Sequence, residues 1–421
     1  MSMPINFQER LFPLLPGIIE HFNTPFHIYD EAGIIAGGRR LINAFGGLPF
    51  REFFAVKANP NPAILRLMQS LCFGFDCSSV PELRLVREIG ARPEDIMFTS
   101  NNTALEEFRA AAEQNGCILN LDDITLVPKV PDPFPELICF RYNPGPRRTG
   151  NSIIGNPVEA KYGVAHEQIV EAYAKAIKRG ATRFGLHTMV CSNELNYKYM
   201  VETVQMLLDV LRLLTDKLKI KFEFINMGGG LGIPYKPEDK ELPLEQMAGE
   251  IKELLRTFQN EQGYVPRLFL ESGRWITGPH GILVARCINK KNTYREYRGL
   301  DACMSDLMRP GMYYPGGGYH QILVPGKASE PTEVVDVVGS LCENCDKFAV
   351  QRELPRIAEG DIVIIADTGA HGYGMGYNYN GRLRHAELML RENGSVELIR
   401  RAETFEDYVR TLQFEPDVLR L

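Results

Sequence analysis

Between residues 48 and 285, short apolar runs of strand character alternate with amphipathic helical runs, and this alternation restricts the possible architecture more than any other property of the chain. Strand-like runs stand near 51-56, 74-79, 95-100, 117-122, 137-143, 183-189, 222-228 and 267-272. Between them, Leu195, Met200, Val204, Leu207, Leu208 and Leu211 share one helical face, as do Met247, Ile251, Leu254, Leu255 and Phe258. Strands alternating with helices in this number, over roughly 230 residues, predict an α/β fold of the (β/α)8 TIM-barrel type. A doubly wound open sheet is the alternative. It fits less well, because no G-x-G-x-x-G follows the first strand and the glycine cluster comes at the seventh.

With 421 residues the chain is too long for one ordinary domain. After about residue 285 the texture changes: Ile282–Cys287, Thr332–Val338 and Asp361–Ala366 are β-rich runs punctuated by Gly, Pro and Asp. They predict an all-β second domain, sandwich or barrel-like. Pro315–Gly318 is expected to be a loop, and residues 1-24 a helical lead-in to a short strand, Pro25–Asp30. That strand could return to the β domain. The expected division is 1-45 as an N-terminal segment partly joining the β domain, 46-285 as the barrel, and 286-421 as the β domain.

A net charge of -6 offers no basic face to nucleic acid. No run approaches the roughly 20 apolar residues of a membrane helix, and Met1–Glu20 lacks the basic start and cleavage site of a signal peptide. The expectation is a cytoplasmic protein. Nine irregularly spaced cysteines suit a reducing compartment, and Cys342 and Cys345 form a C-x-x-C with no second pair at zinc-finger spacing, so no metal is expected.

In such barrels chemistry sits at the C-terminal ends of the strands. Here those ends are polar: Lys57, Asp76–Ser79, Arg141–Pro144, His187–Ser192, Asn226–Gly230 and Glu271–Arg274. Lys57 closes an apolar run, and a desolvated lysine amine can attack a carbonyl; its plainer reading is a salt-bridged strand end. Gly228, Gly229 and Gly230 can turn sharply and present N–H groups to a phosphate, although glycine runs are also simply loops. Ser192 could donate to the same phosphate or cap a helix before Glu194. A lysine and a phosphate site on one rim suggest pyridoxal 5'-phosphate, whose ring nitrogen needs a carboxylate to keep it protonated. Glu271 could serve, or pair with Arg274 three residues on.

Phe54–Asn59, Gly74–Ser79, Gly228–Gly230, Glu271–Arg274, Asp306–Pro310, Cys342–Asp346, Asp367–Ala370 and Asn378–Asn380 together resemble the alanine-racemase-fold (fold type III) pyridoxal phosphate decarboxylases, with diaminopimelate decarboxylase the closest pattern. The likeness is collinear from about residue 25 onward. It implies that Lys57 holds the cofactor, with Asp76 near it. Ser192 and Gly228–Gly230 would bind the phosphate, and Glu271 the pyridine nitrogen. It implies further that Arg274, Arg309 and Tyr313 grip a distal carboxylate of the substrate, a geometry suited to guanidinium forks. Cys342 would protonate the substrate carbon and Glu343 contact the distal amine. In the family these two reach into the neighbouring subunit, so a homodimer with shared active sites is implied. The expected reaction is decarboxylation of an amino-acid substrate, meso-diaminopimelate to lysine or one similar.

The pattern is broken at three places. The family's second His of His-x-His-Ile-Gly-Ser is Met189, which keeps a sulfur–aromatic contact with the cofactor ring but no charge. The family's Gly-Ala-Tyr reads Gly369, Ala370, His371, placing an imidazole where a tyrosine helps hold phosphate. The proline of Glu-Pro-Gly-Arg is Ser272, a change of little expected consequence. Three other readings follow: a decarboxylase of another amino acid in a secondary-metabolite or siderophore pathway, a racemase on the same fold, and a non-catalytic homologue.

Overall fold

The computed structural model describes residues 3–151, 153, 155–313 and 318–415. They fall into two compact units: residues 33–234 with 238–278, and residues up to 32 with 235–237 and 279 onward.

The first unit is a closed parallel barrel. Its strands are β1 (Phe50–Ala55), β2 (Gly74–Cys77), β3 (Ile96–Phe98), β4 (Ile118–Leu121), β5 (Leu137–Asn143), β6 (Arg183–Thr188), β7 (Phe224–Asn226) and β8 (Arg267–Leu270). Each pairs in parallel with the next, β6 with β5 directly, and β8 with β1 closes the ring. The alternation read from the sequence is therefore the barrel's own repeat.

Side chains alternate in and out along a strand, and the inward ones fill the barrel. Phe53, Met97, Ile118, Cys139, Phe224 and Phe269 form one buried cluster from six strands, in which each buried phenylalanine contributes about 1.5–3 kcal/mol. Phe224 and Phe269 stack with ring centroids 4.4 Å apart. Gly185 makes room for them, since a Cβ there would lie 2.0 Å from the Phe224 ring.

Outside the strands, helix Tyr197–Leu218 buries Met200, Val204, Leu207, Leu208 and Leu211. Leu195, expected on the same face, lies before the helix start, where the Asn196 side chain accepts from the amide of Lys198 and caps it. Helix Leu244–Gln262 buries Met247, Ile251, Leu255 and Phe258, with Leu254 only half-buried.

The second unit is a mixed sheet in the order Lys347–Pro355, Thr332–Val338, Glu296–Leu300, Gly281–Asn292, Phe26–Asp30, Ala386–Leu390, Val396–Arg400; Ile362–Ile365 also pairs with Gly281–Asn292. Phe26–Asp30 is antiparallel to Gly281–Asn292 and parallel to Ala386–Leu390, and it is buried at every position. Helices Ile5–Leu11 and Leu15–Phe22 pack Phe7, Leu11, Leu15 and Ile18 against Phe26, Ile28, Val284 and Leu388. The expected loop at Pro315–Gly318 falls, but for Gly318, outside the described residues. Among the described residues no helix is long and apolar enough to cross a membrane.

Candidate active site

Two residues beyond the apolar layer, the inward positions of the barrel become polar. Asp76 on β2, Thr99 after β3, Asn120 on β4, Arg141 on β5, His187 on β6, Asn226 on β7 and Glu271 after β8 form a ring, each at most 9% exposed. Thr99 Oγ1 donates to Asp76 (3.0 Å) and accepts from Asn120 Nδ2 (3.2 Å). Arg141 reaches Asn101 at 3.2 Å and Asp122 at 3.5 Å.

Glu271 takes a hydrogen bond from Asn226 Nδ2 at 2.7 Å, and His187 Nε2 lies 3.3 and 3.4 Å from its two oxygens. The barrel wall thus supplies Glu271 with two partners from neighbouring strands. Asn226 Oδ1 in turn accepts from Gly228 N–H at 2.9 Å, so one side chain aligns both the carboxylate and the glycine loop.

Burial alone would push the Glu271 carboxyl up. The His187 interaction, the Lys57 charge and the Asn226 hydrogen bond outweigh it and hold Glu271 below the usual carboxylate range. Burial lowers His187 against the pull of the Glu271 carboxylate, to which its Nε2–H donates. Asp76 goes the other way: burial, with the charge of Glu271 added, pushes it up to about 8 against the pull of Lys57 and Thr99. Two neighbouring carboxyls are thereby driven to opposite protonation states. His187 Nδ1 and Asn120 Oδ1 are buried without a hydrogen-bond partner among the described residues, so the ring has bonding capacity left for a ligand.

Lys57 lies just past the strand. The strand ends at Ala55, and Lys57 sits in the single 3-10 turn Val56–Ala58 with an exposed side chain. Its charge acts on Asp76, Glu271 and His187 together.

The glycine loop is a fitted cradle. A Cβ at Gly228 would come 2.4 Å from Thr188 O, at Gly229 2.5 Å from Glu271 O, and at Gly230 2.7 Å from Cys191 Sγ. The same site at Gly228 would lie 2.9 Å from Met189 Sδ, which places the thioether against the loop. Ser192 lies in the loop after β6, where Asn151 bonds its amide at 3.3 Å and its carbonyl at 2.7 Å. Since Asn196 caps the following helix, the capping alternative for Ser192 falls. Arg274 is on the short helix Gly273–Thr277 directly after Glu271.

The remaining expected residues belong to the second unit. Arg309 is buried, with Nη1 donating to Tyr319 O (3.1 Å) and to His320 Nε2 (3.3 Å). Its guanidinium lies 3.9 Å from the Tyr235 ring centroid and 5.9 Å from that of Tyr313. Cys342 is exposed, its Sγ 3.4 Å from the Tyr379 hydroxyl, which donates to Glu343 Oε1 at 3.0 Å. His371 sits at φ 57°, in the left-handed region. Tyr379, a residue of the Asn378–Asn380 motif with no role in the sequence reading, thus bonds both Cys342 and its neighbour Glu343.

Residues 32–278 match a family profile described as "Pyridoxal-dependent decarboxylase, pyridoxal binding domain". The chain belongs to the pyridoxal-dependent decarboxylases. As a member of that family it is a pyridoxal-phosphate-dependent amino-acid decarboxylase of fold type III. It is 46% identical to Protein TabA of Pseudomonas amygdali pv. tabaci, over 98% of this chain and 97% of that protein. It is 36% identical to the diaminopimelate decarboxylase of Methanothermobacter thermautotrophicus, over 93% and 92%. Among solved structures, the diaminopimelate decarboxylase from M. jannaschii in complex with L-lysine superposes with a TM-score of 0.88 at 30% identity, covering 95% of this chain and 94% of the other. The glycine cradle and the orphaned His187 and Asn120 atoms fit such a cofactor in the barrel.

Proposed function

We propose that this decarboxylase acts on an α-amino acid with a distal carboxylate, and that meso-diaminopimelate, giving lysine, is the first substrate to try. The observation that carries the chemistry is the Glu271 carboxylate, held ionised at the barrel centre by Asn226 and His187. Pyridoxal phosphate supplies the sink for the electron pair released as the C–C bond to the carboxylate breaks. In our reading Glu271 bonds its ring nitrogen, Lys57 holds its aldehyde end, and Asp76 lies near Lys57. Met189 packs on the ring. Ser192, Gly228, Gly229, Gly230 and His371 hold the phosphate.

Arg274, Arg309 and Tyr313 would receive the distal carboxylate and Glu343 the distal amine. Cys342 Sγ would deliver the proton that replaces the lost carboxylate, with Tyr379 hydrogen-bonded to both Cys342 and Glu343. We propose a cytoplasmic homodimer, each active site completed by Cys342 and Glu343 of the partner chain. Nine free cysteines support a reducing compartment, and names among the relatives support lysine biosynthesis.

A second reading, a decarboxylase of a different amino acid in a specialised pathway, is favoured by Met189 and His371, which depart from the family pattern, and by a 46% identical relative whose name states no activity. Carbon dioxide release from meso-diaminopimelate, lysine, ornithine, arginine and glutamate separates the two. Release from the first alone supports the primary reading. Release from another compound, or from none, overturns it.

A further inference from the structure

The turn that carries Glu271 is tied to the first strand by a buried contact. Glu52, on β1, is 1% exposed and pairs in register with Leu270, so it shares the outer face of the wall while Glu271 faces inward. Glu52 Oε1 accepts a hydrogen bond from Ser272 N–H, the amide that directly follows Glu271. Glu52 Oε2 is buried without a partner among the described residues. The Glu271 residue is therefore held at both ends: its own N–H donates to Gly228 O at 2.9 Å, its carboxylate accepts from Asn226 and His187, and the next peptide is held by Glu52.

The departure at Ser272 gains a meaning here. A proline at this position has no N–H to give, so a glutamate behind it would bury an acceptor facing nothing. Ser272 has φ −86°, not far from the angle a proline ring imposes. Serine thus differs from proline here chiefly by the donor that Glu52 uses. Burial, against the pull of the Ser272 N–H, pushes the Glu52 carboxyl up to about 8, which spares Glu271 a second buried charge.

We propose that Glu52 is a positioning residue for Glu271: its carboxyl group fixes the Glu271–Ser272 peptide from behind the barrel wall, and with it the side chain that meets the cofactor's ring nitrogen. This rests on the role given to Glu271 above. The test is a cycle on the holoenzyme. E52L leaves the Ser272 N–H buried without an acceptor, S272P leaves Glu52 without a donor, and E52L/S272P removes both. E52Q keeps the acceptor oxygen.

The expected result is a kcat lower by about tenfold in E52L and S272P, with KM for the amino acid within about twofold, and a displaced cofactor absorbance band. E52Q should keep the parental kcat and band, and the double variant should be no worse than the worse single one. A folded, fully loaded E52L with parental kcat overturns the proposal, as does an E52Q impaired like E52L or a double variant whose losses multiply. Where E52L does not fold, S272P carries the same comparison. E271Q separates the two claims: if it is impaired while E52L is not, only the Glu52 proposal falls, and if it is unimpaired, the Glu271 reading falls and takes this one with it.

Discussion

Replacing Asn226 by aspartate changes one atom's chemistry at the centre of the site and almost nothing of its shape. In the parent, Asn226 Nδ2 donates to Glu271 Oε1 at 2.7 Å while Asn226 Oδ1 accepts the Gly228 amide at 2.9 Å. Aspartate keeps the acceptor for Gly228 and turns the donor into a second carboxylate oxygen facing Glu271. Two carboxylate charges about 4 Å apart repel by ~4 kcal/mol at the effective dielectric of such sites. That is about a thousandfold in proton affinity, so the pair takes up one proton and Glu271 loses its standing as a full anion. If an ionised Glu271 keeps the ring nitrogen protonated, N226D should lower kcat by at least a hundredfold at pH 7 and move the cofactor absorbance, while circular dichroism and cofactor content stay parental. Assay of carbon dioxide release from pH 6 to 9, with the spectrum recorded in parallel, measures both. An N226D enzyme within about twofold of the parent across that range would refute the assignment of Glu271 and the reasoning from its hydrogen bonds.

Borohydride reduction followed by peptide mapping should fix the cofactor to the peptide containing Lys57, and Lys57→Ala should abolish that label with roughly a hundredfold or greater loss of turnover; a label elsewhere contradicts the assignment. Asp76 titrates near 8 when folded against an ordinary 3.8. A raised carboxyl binds its proton more tightly in the folded chain, so its contribution to stability is full below the unfolded value and is lost as pH climbs toward the folded one, at about 1.4 kcal/mol per pH unit. Asp76→Asn should therefore lose less urea resistance between pH 5 and 8 than the parent, and equal slopes would count against the buried, protonated Asp76. Gly229→Ala places a methyl 2.5 Å from the Glu271 carbonyl oxygen; overpacking of about 1–3 kcal/mol should weaken cofactor retention in equilibrium dialysis, and unchanged retention would show that the cradle yields.

The barrel is readable from sequence because each β/α unit is local: a three- to seven-residue apolar strand and the helix after it announce themselves without knowledge of their neighbours. The polar ring is only partly so. Lys57, Asp76 and Glu271 stand out as ionisable groups at strand ends, but His187 and Asn226 gain their role from register, which places them beside Glu271 across strands whose residues are 84 and 45 positions apart. Asn120 on β4 and Thr99 just after β3 are ordinary polar residues until the same register turns them inward. The apolar run marks Lys57 as a strand end but does not show that the strand stops at Ala55 and that a 3-10 turn carries the lysine. Glu52 and Ser272 lie 220 residues apart, and nothing in either stretch announces the bond between them. Asn196 rather than Ser192 caps the long helix because the loop after β6 runs four residues further before it turns.

The strand Phe26–Asp30 is interior to its sheet, yet one of its partners begins at Gly281 and the other at Ala386. Its neighbours are synthesised roughly 250 residues and more after it, at a rate of about 5–20 residues per second. For that interval it is an apolar segment with both edges unpaired, of the kind that invites pairing with other chains. Helices Ile5–Leu11 and Leu15–Phe22, whose apolar faces pack on this strand in the finished sheet, are encoded immediately before it. They provide a local cover for the waiting strand, so shortening the chain ahead of residue 23 should cost yield of soluble protein before it costs any chemistry.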